Sequence, residues 1–270
     1  MSKSCAVIQF PGSNCEYETI AAIEAAGCSV DLLRWNCNED DFFKYHAFIL
    51  PGGFSFQDRI RAGVVASKLP IMTYLKKADQ SGLPILGICN GCQILAETGI
   101  VPNVEDTDNI EMALAPNMKQ NNPHGFVCDW VYVKIKQPEK NIFTKTFSET
   151  DVIPIQINHA EGNFNLAEAI KSNRNNLTEI YYVNDQGEKN NLYPINPNGT
   201  YDNLAGISNK KGNALAMMPH PERAFLLTQM PQYLNHEWSS QKRLQLTNKN
   251  QKGPWSKLFE ALSDYLQEDK

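Results

Sequence analysis

Pro84-Ile85-Leu86-Gly87-Ile88-Cys89-Asn90-Gly91-Cys92-Gln93-Ile94-Leu95 is the stretch whose reading decides the fold. An apolar run suited to a buried strand leads into Gly-x-Cys-x-Gly, and a helical pattern follows, closed by Gly99. This is the spacing of a strand–nucleophile–helix elbow, with Cys in the place that Ser occupies in many hydrolases. The physical need for it is steric. A nucleophile on so sharp a turn is crowded by its neighbours, and Gly87 and Gly91 remove the side chains that would clash. A helix that starts at the sulfur turns its positive end toward it and favours thiolate over thiol. It also leaves the backbone N–H of Asn90 free to face a developing oxyanion.

Working outward, strands and helices alternate through the first half. Cys5–Phe10 reads as a buried strand, Glu16–Ala26 as a helix stopped by Gly27, and Ser29–Leu33 and Ala47–Leu50 as further strands. Gly63–Leu69 and Met72–Gln80 have helical patterns. Such alternation predicts an α/β fold with a largely parallel sheet flanked by helices. The second half is richer in strands: Phe126–Ile135, Val152–Ile157, Thr178–Val183, Leu204–Ile207 and Ala214–Met218. These predict one mixed sheet continuing from the first half, in a single domain over 1–270. Val101–Gly125 and Asn184–Asn203, dense in Asn, Pro and Gly, read as long loops. Asn235–Gly253 reads as a polar, solvent-facing insertion before an amphipathic terminal helix at Trp255–Leu266.

The composition narrows the function classes. The chain has 270 residues, 42% of them hydrophobic and 20% charged, with a net charge of −5. That balance does not predict a broad electrostatic surface for nucleic acid. No run approaches the length of a membrane span. Met1-Ser2-Lys3-Ser4 passes straight into the first strand without the charged, apolar and cleavable regions of a secretory signal. Seven cysteines at irregular spacing fit reduced thiols better than a disulfide framework, so the expected compartment is the cytoplasm.

An acyl-transfer thiolate needs a general base and a group to orient it. Of five histidines, His220 follows an apolar strand and lies in Pro219-His220-Pro221-Glu222-Arg223. Prolines on both sides stiffen its backbone, and Glu222 can fold back onto the imidazole. His159, in Asn158-His159-Ala160-Glu161-Gly162, also follows a strand; a structural or substrate-binding role suits it better than that of base. Phe48-Ile49-Leu50-Pro51-Gly52-Gly53-Phe54-Ser55 places two glycines at a strand's carboxyl end, where backbone N–H groups can approach a ligand closely.

The elbow, the Pro-Gly-Gly-Phe-Ser loop and the Pro-His-Pro-Glu-Arg segment together resemble class I glutamine amidotransferases. Phe10-Pro11-Gly12-Ser13-Asn14-Cys15-Glu16, His159-Ala160-Glu161-Gly162-Asn163-Phe164, and Asn196-Pro197-Asn198-Gly199 with Leu204-Ala205-Gly206-Ile207 narrow the resemblance. It becomes that to the glutaminase subunits of phosphoribosylformylglycinamidine synthases. The motifs run in order from about residue 5 to 225. The resemblance implies that Cys89 forms a glutamyl thioester, that His220 shuttles protons, and that Glu222 orients it. Backbone N–H groups of Gly53 and Asn90 would hold the oxyanion; Gly52, Phe54 and Gln93 would seat glutamine. It implies no cofactor or metal on this chain. ATP and magnesium are expected on a separate synthetase subunit, which a small third protein often bridges. The chain departs from the family at Cys92, more often a large apolar residue, and at Phe56-Gln57-Asp58, often aromatic-Gly-Asp.

Two rival readings remain at this level. A different Cys-elbow amidotransferase or a peptidase-like relative shares the elbow, but would not be expected to carry both the Pro-Gly-Ser-Asn start and the Glu-Gly-Asn-Phe loop. A thioredoxin-like pair could use Cys89-x-x-Cys92. The nucleophile reading predicts that Cys89→Ser abolishes glutaminase activity while Cys92→Ser largely spares it. Equal loss from both substitutions in a glutamate-release assay would favour the redox pair.

Overall fold

The computed structural model describes residues 3–107, 109–120, 122–244 and 251–268. Its first half follows the alternation read from the sequence: β1 (Ser4–Gln9), α1 (Glu16–Ala25), β2 (Ser29–Arg34), β3 (Ala47–Leu50), α2 (Ile71–Gln80), β4 (Ile85–Ile88) and α3 (Asn90–Thr98). Then come β5 (Met112–Ala115), β6 (Val127–Lys136), β7 (Ile153–His159), β8 (Asn163–Leu166), β9 (Glu179–Val183), β10 (Leu204–Ser208) and β11 (Ala214–Met217). Two helices close the chain, α4 (Glu237–Leu244) and α5 (Ser256–Gln267).

Nine strands form one sheet in the order β2-β1-β3-β4-β11-β10-β9-β6-β7. From β2 to β11 every pairing is parallel; from β11 to β7 every pairing is antiparallel. The central strands β3, β4 and β11 are buried at every residue. That explains why they read as unbroken apolar runs and not as alternating patterns: both of their faces are covered. The shared direction of β1, β3, β4 and β11 has a functional consequence. It brings the turns that follow their carboxyl ends, at Pro11, Pro51, Cys89 and Met218, to a single rim of the sheet.

Several sequence expectations need correction. Val101–Gly125 is not wholly loop, because β5 pairs antiparallel with β8 as a small ribbon. Four-residue strands inside a polar stretch give too short a pattern to read. Gly63–Leu69 holds only a tight 3₁₀ turn at Ala66–Lys68. Asn235–Gly253 is not simply a solvated insertion. Its α4 rests on the 228–232 turn, where Lys242 donates to Thr228 O at 2.7 Å and also to Met230 O. Gly253 N–H donates to Phe225 O at 2.7 Å. Residues 245–250 of that segment lie outside the described residues.

The terminal helix is held by its apolar stripe. Leu258, Phe259, Leu262 and Leu266 are buried, and Trp255 at its start is fully buried. The Trp255 ring lies 5.3 Å from that of Phe147, and its indole N–H donates to Pro154 O at 3.0 Å. Trp255→Ala would therefore leave both a cavity and an unpaired carbonyl. Chemical denaturation should show a loss of about 3–5 kcal/mol, with Trp255→Phe losing less.

Candidate active site

The elbow is built by contact between backbones. Cys89 has φ 50° and ψ −105°, a conformation that non-glycine residues rarely adopt. A Cβ on Gly91 would lie 2.0 Å from Leu50 O, and one on Gly87 2.5 Å from Gly91 O. Neither position can carry a side chain while β3, β4 and α3 pack this closely. Cys89 N–H donates to Met217 O at 2.8 Å, which ties the turn to β11. Cys89 is buried at 5% exposure, and its thiol faces Asn158 O at 3.5 Å.

His220 arrives on the neighbouring strand. Its N–H donates to Gln156 O at 2.8 Å, and the short turn Pro221–Arg223 returns Glu222 to its ring. Glu222 Oε1 bonds His220 Nδ1, and both side chains are buried. Burial alone would lower the pKa of His220. The Glu222 carboxylate, with smaller contributions from Cys89 and Cys15, outweighs it and raises the pKa well above the usual histidine range. The Nε2 atom of His220, buried, has no partner among the described residues. A Cβ on Gly52 would meet His220 Cε1 at 2.8 Å, Cys15 Sγ at 3.0 Å and Cys89 Cβ at 3.4 Å. The glycine loop thus packs directly against thiol and imidazole.

The two groups expected to hold the oxyanion, Gly53 and Asn90, lie on the loop after β3 and at the start of α3. Gly53 has φ 146° and lies against Ser13 and Asn14. The flanking backbone is held by Phe54 N–H to Gly12 O at 2.9 Å and Asn14 N–H to Gly52 O at 3.3 Å. Asn90 opens α3, so its N–H has no acceptor within the helix. Its side chain is a brace: Oδ1 accepts from Ser55 N–H at 3.0 Å, and Nδ2 donates to Gln93 Oε1 at 2.9 Å. Gln93 also donates to Glu161 O at 2.7 Å, so both ends of its amide are engaged by protein. Phe54 is 44% exposed and stacks on Phe126 at the rim.

Other residues at the site were not read from the sequence. Arg223 donates to Glu18 Oε1 at 3.0 Å and Cys15 Sγ at 3.3 Å behind the His220–Glu222 pair. Donor atoms of Cys15, Glu18, His220 and Glu222 all lie within 4.8 Å of one another. The Arg223 guanidinium already supplies the positive charge there, which disfavours a metal ion. Cys15 and Arg223 stand in quoted motifs, but Glu18 carries no local signal. Phe56, Gln57 and Asp58 are all left-handed, with φ of 53°, 61° and 51°. Gln57 thus occupies a backbone state suited to the glycine that the family often has there.

Cys92 does not form a redox site with Cys89. It is fully buried inside α3, and burial pushes its thiol pKa well above the ordinary value. All seven cysteines are free.

Residues 2–266 match the model of the CobB/CobQ-like glutamine amidotransferase domain. The phosphoribosylformylglycinamidine synthase subunit PurQ of Methanothrix thermoacetophila is 39% identical over 276 residues, covering 97% of this chain and 98% of the relative. That of Pyrococcus horikoshii is 39% identical over 220 residues, covering 81% and 88%. A chain in the structure of PurLQS from Thermotoga maritima superposes with a TM-score of 0.70 at 29% identity, covering 98% of this chain and 100% of that one. The chain belongs to the glutamine amidotransferase family, and within it to the PurQ subunits of phosphoribosylformylglycinamidine synthase.

Asp58 supplies a test of the electrostatics. It is half-buried, accepts from Asn90 Nδ2 at 3.3 Å, and its pKa is raised to about 6 by burial and by Glu161. A carboxyl pKa raised from 3.8 means that the folded state holds the proton more tightly. The group's stabilising contribution is therefore complete below pH 3.8 and lost as pH rises through 6. Asp58→Asn should raise the melting temperature relative to wild type at pH 8, with the difference shrinking toward zero near pH 4.

Proposed function

We propose that this chain hydrolyses glutamine through a thioester on Cys89 and delivers the ammonia to a synthetase subunit. That subunit would convert formylglycinamide ribonucleotide to formylglycinamidine ribonucleotide with ATP. The observation that carries the reading is the strained Cys89 elbow packed against the buried His220–Glu222 pair, with Gly52 between them.

The chemistry follows from the placement. The Cys89 sulfur attacks the side-chain carbonyl of glutamine, and the carbonyl oxygen takes up negative charge between the N–H groups of Gly53 and Asn90. The bond between carbon and nitrogen breaks as His220 gives the nitrogen a proton, and ammonia leaves. His220 then takes a proton from water, whose oxygen attacks the thioester; glutamate departs and the Cys89 sulfur is regenerated. Glu222 holds the imidazole and offsets its charge. Gly52 and Phe54 line the entry for glutamine, while Gln93 acts by bracing Asn90.

No step here calls for a metal or nucleotide on this chain; ATP and magnesium belong to the synthetase partner. The Thermotoga maritima relative is a chain of the PurLQS structure. The partners proposed here are accordingly a synthetase subunit and a small bridging subunit, with no role for nucleic acid or membrane. No helix among the described residues is long and apolar enough to cross a membrane. Free thiols suit the cytoplasm as the site of the reaction.

An amidotransferase gains by releasing ammonia only when its acceptor is ready. The isolated chain should therefore hydrolyse glutamine slowly. Adding the synthetase with its ribonucleotide and ATP should raise glutamate release by about tenfold or more, an ordinary size for coupling between sites. Full turnover by the chain alone would overturn this coupling, and Cys89→Ser should remove the activity in both states.

A further inference from the structure

His159 carries a buried hydrogen-bond acceptor that no group among the described residues uses. Asn117 fixes the ring. Its Nδ2 donates to His159 O at 2.8 Å and to Gly125 O at 2.9 Å, and its Oδ1 accepts from Gly162 N–H at 2.9 Å. That Oδ1 lies 3.1 Å from His159 Nδ1, so Nδ1 must be the ring's donor. In the neutral ring Nε2 is then a lone pair. It is buried and has no partner among the described residues. Gly162 keeps the ring in place, since a Cβ there would lie 2.2 Å from His159 Cε1.

The strand end that carries the ring borders the nucleophile, and the ring lies close enough to His220 to feel its charge. The carbonyl just before it, Asn158 O, is the one that Cys89 Sγ faces at 3.5 Å. A second buried polar atom lies nearby. Tyr182 is fully buried; its hydroxyl has the Asn198 amide beside it but makes no hydrogen bond of ordinary geometry among the described residues, and it lies within electrostatic reach of Cys92 and Cys89. Asn198 in turn donates to Gly162 O at 2.8 Å, which joins Tyr182 and His159 into one neighbourhood.

We propose that His159 Nε2 accepts a hydrogen bond from the nitrogen leaving glutamine, and that the Tyr182 hydroxyl is the next polar contact for the released ammonia. This rests on the reading of Cys89 as the glutaminase nucleophile. Once the bond between carbon and nitrogen has broken and His220 has supplied the proton, ammonia carries three N–H donors. A buried lone pair fits one of them. The acceptor's neutrality matters as much as its position. Burial, with a smaller push from His220, lowers the pKa of His159 to about 3. A carboxylate in this place would stabilise ammonium, which has no lone pair to attack the acceptor substrate. A neutral imidazole holds ammonia without favouring its protonation.

The test uses the chain assembled with its synthetase partner and measures glutamate and formylglycinamidine ribonucleotide together. Tyr182→Phe removes one hydroxyl and should leave glutamate release at the wild-type rate. Product formed per glutamate should fall by about threefold, the scale of one lost neutral hydrogen bond. Product formation driven by added ammonium chloride should be unchanged. His159→Leu should lower the same ratio, and His159→Gln, which restores an acceptor, should recover it. If His159→Leu fails to assemble, Tyr182→Phe decides alone. A ratio that stays at the wild-type value in Tyr182→Phe, or a matched loss of glutamate and product, overturns the proposal. Absence of glutamate from the wild-type complex would instead overturn the glutaminase reading.

Discussion

The chain can turn at Cys89 only because three backbones lie in contact there. Gly91 touches Leu50 of β3, Gly87 touches Gly91, and Cys89 N–H is bonded to Met217 of β11. Holding a non-glycine residue at φ 50° costs on the order of 1–3 kcal/mol. The surrounding sheet sustains that cost because the three strands are buried throughout and paired in register. The same contact sets the geometry of the site. Leu50 is followed by Pro51-Gly52-Gly53, so whatever positions the elbow positions the glycine loop. Met217 precedes His220 by three residues, so the base is set by the strand that anchors the thiol.

This coupling explains how far the sequence could be read. The elbow was legible because each glycine answers a steric demand within a few residues of the cysteine. The pairing of His220 with Glu222 was legible because the prolines and the carboxylate are adjacent in the chain. Parallel strands could be inferred from their unbroken apolar runs, and with them the common rim that gathers the loops. Features that depend on long-range contact were not legible. Arg223 and Glu18 are 205 positions apart and meet only because α1 packs against the turn after β11. The ribbon of β5 and β8 is similar: each strand has four residues, and neither announces a partner. Gln93 shows the converse. Its motif position suggested contact with glutamine, but tertiary bonds to Asn90 and Glu161 engage its amide at both ends.

Two histidines buried in one site have been driven in opposite directions, and the difference separates their chemistry. His220 lies against a carboxylate, with Arg223 Nε 4.0 Å from that same Glu222 oxygen. Its charged form is the one the surroundings stabilise. His159 faces an amide oxygen in place of a carboxylate, and desolvation with the charge of His220 outweighs the backbone hydrogen bond that favours its charged form, so it stays neutral. The pairing also has a logic of its own. A second cation near Cys89 would be repelled by protonated His220, and that repulsion is part of what lowers the pKa of His159. A histidine that can carry the proton therefore helps to keep its neighbour from carrying one. Proton transfer and the handling of a neutral nitrogen base can then occur side by side, which a reaction that must release ammonia unprotonated requires.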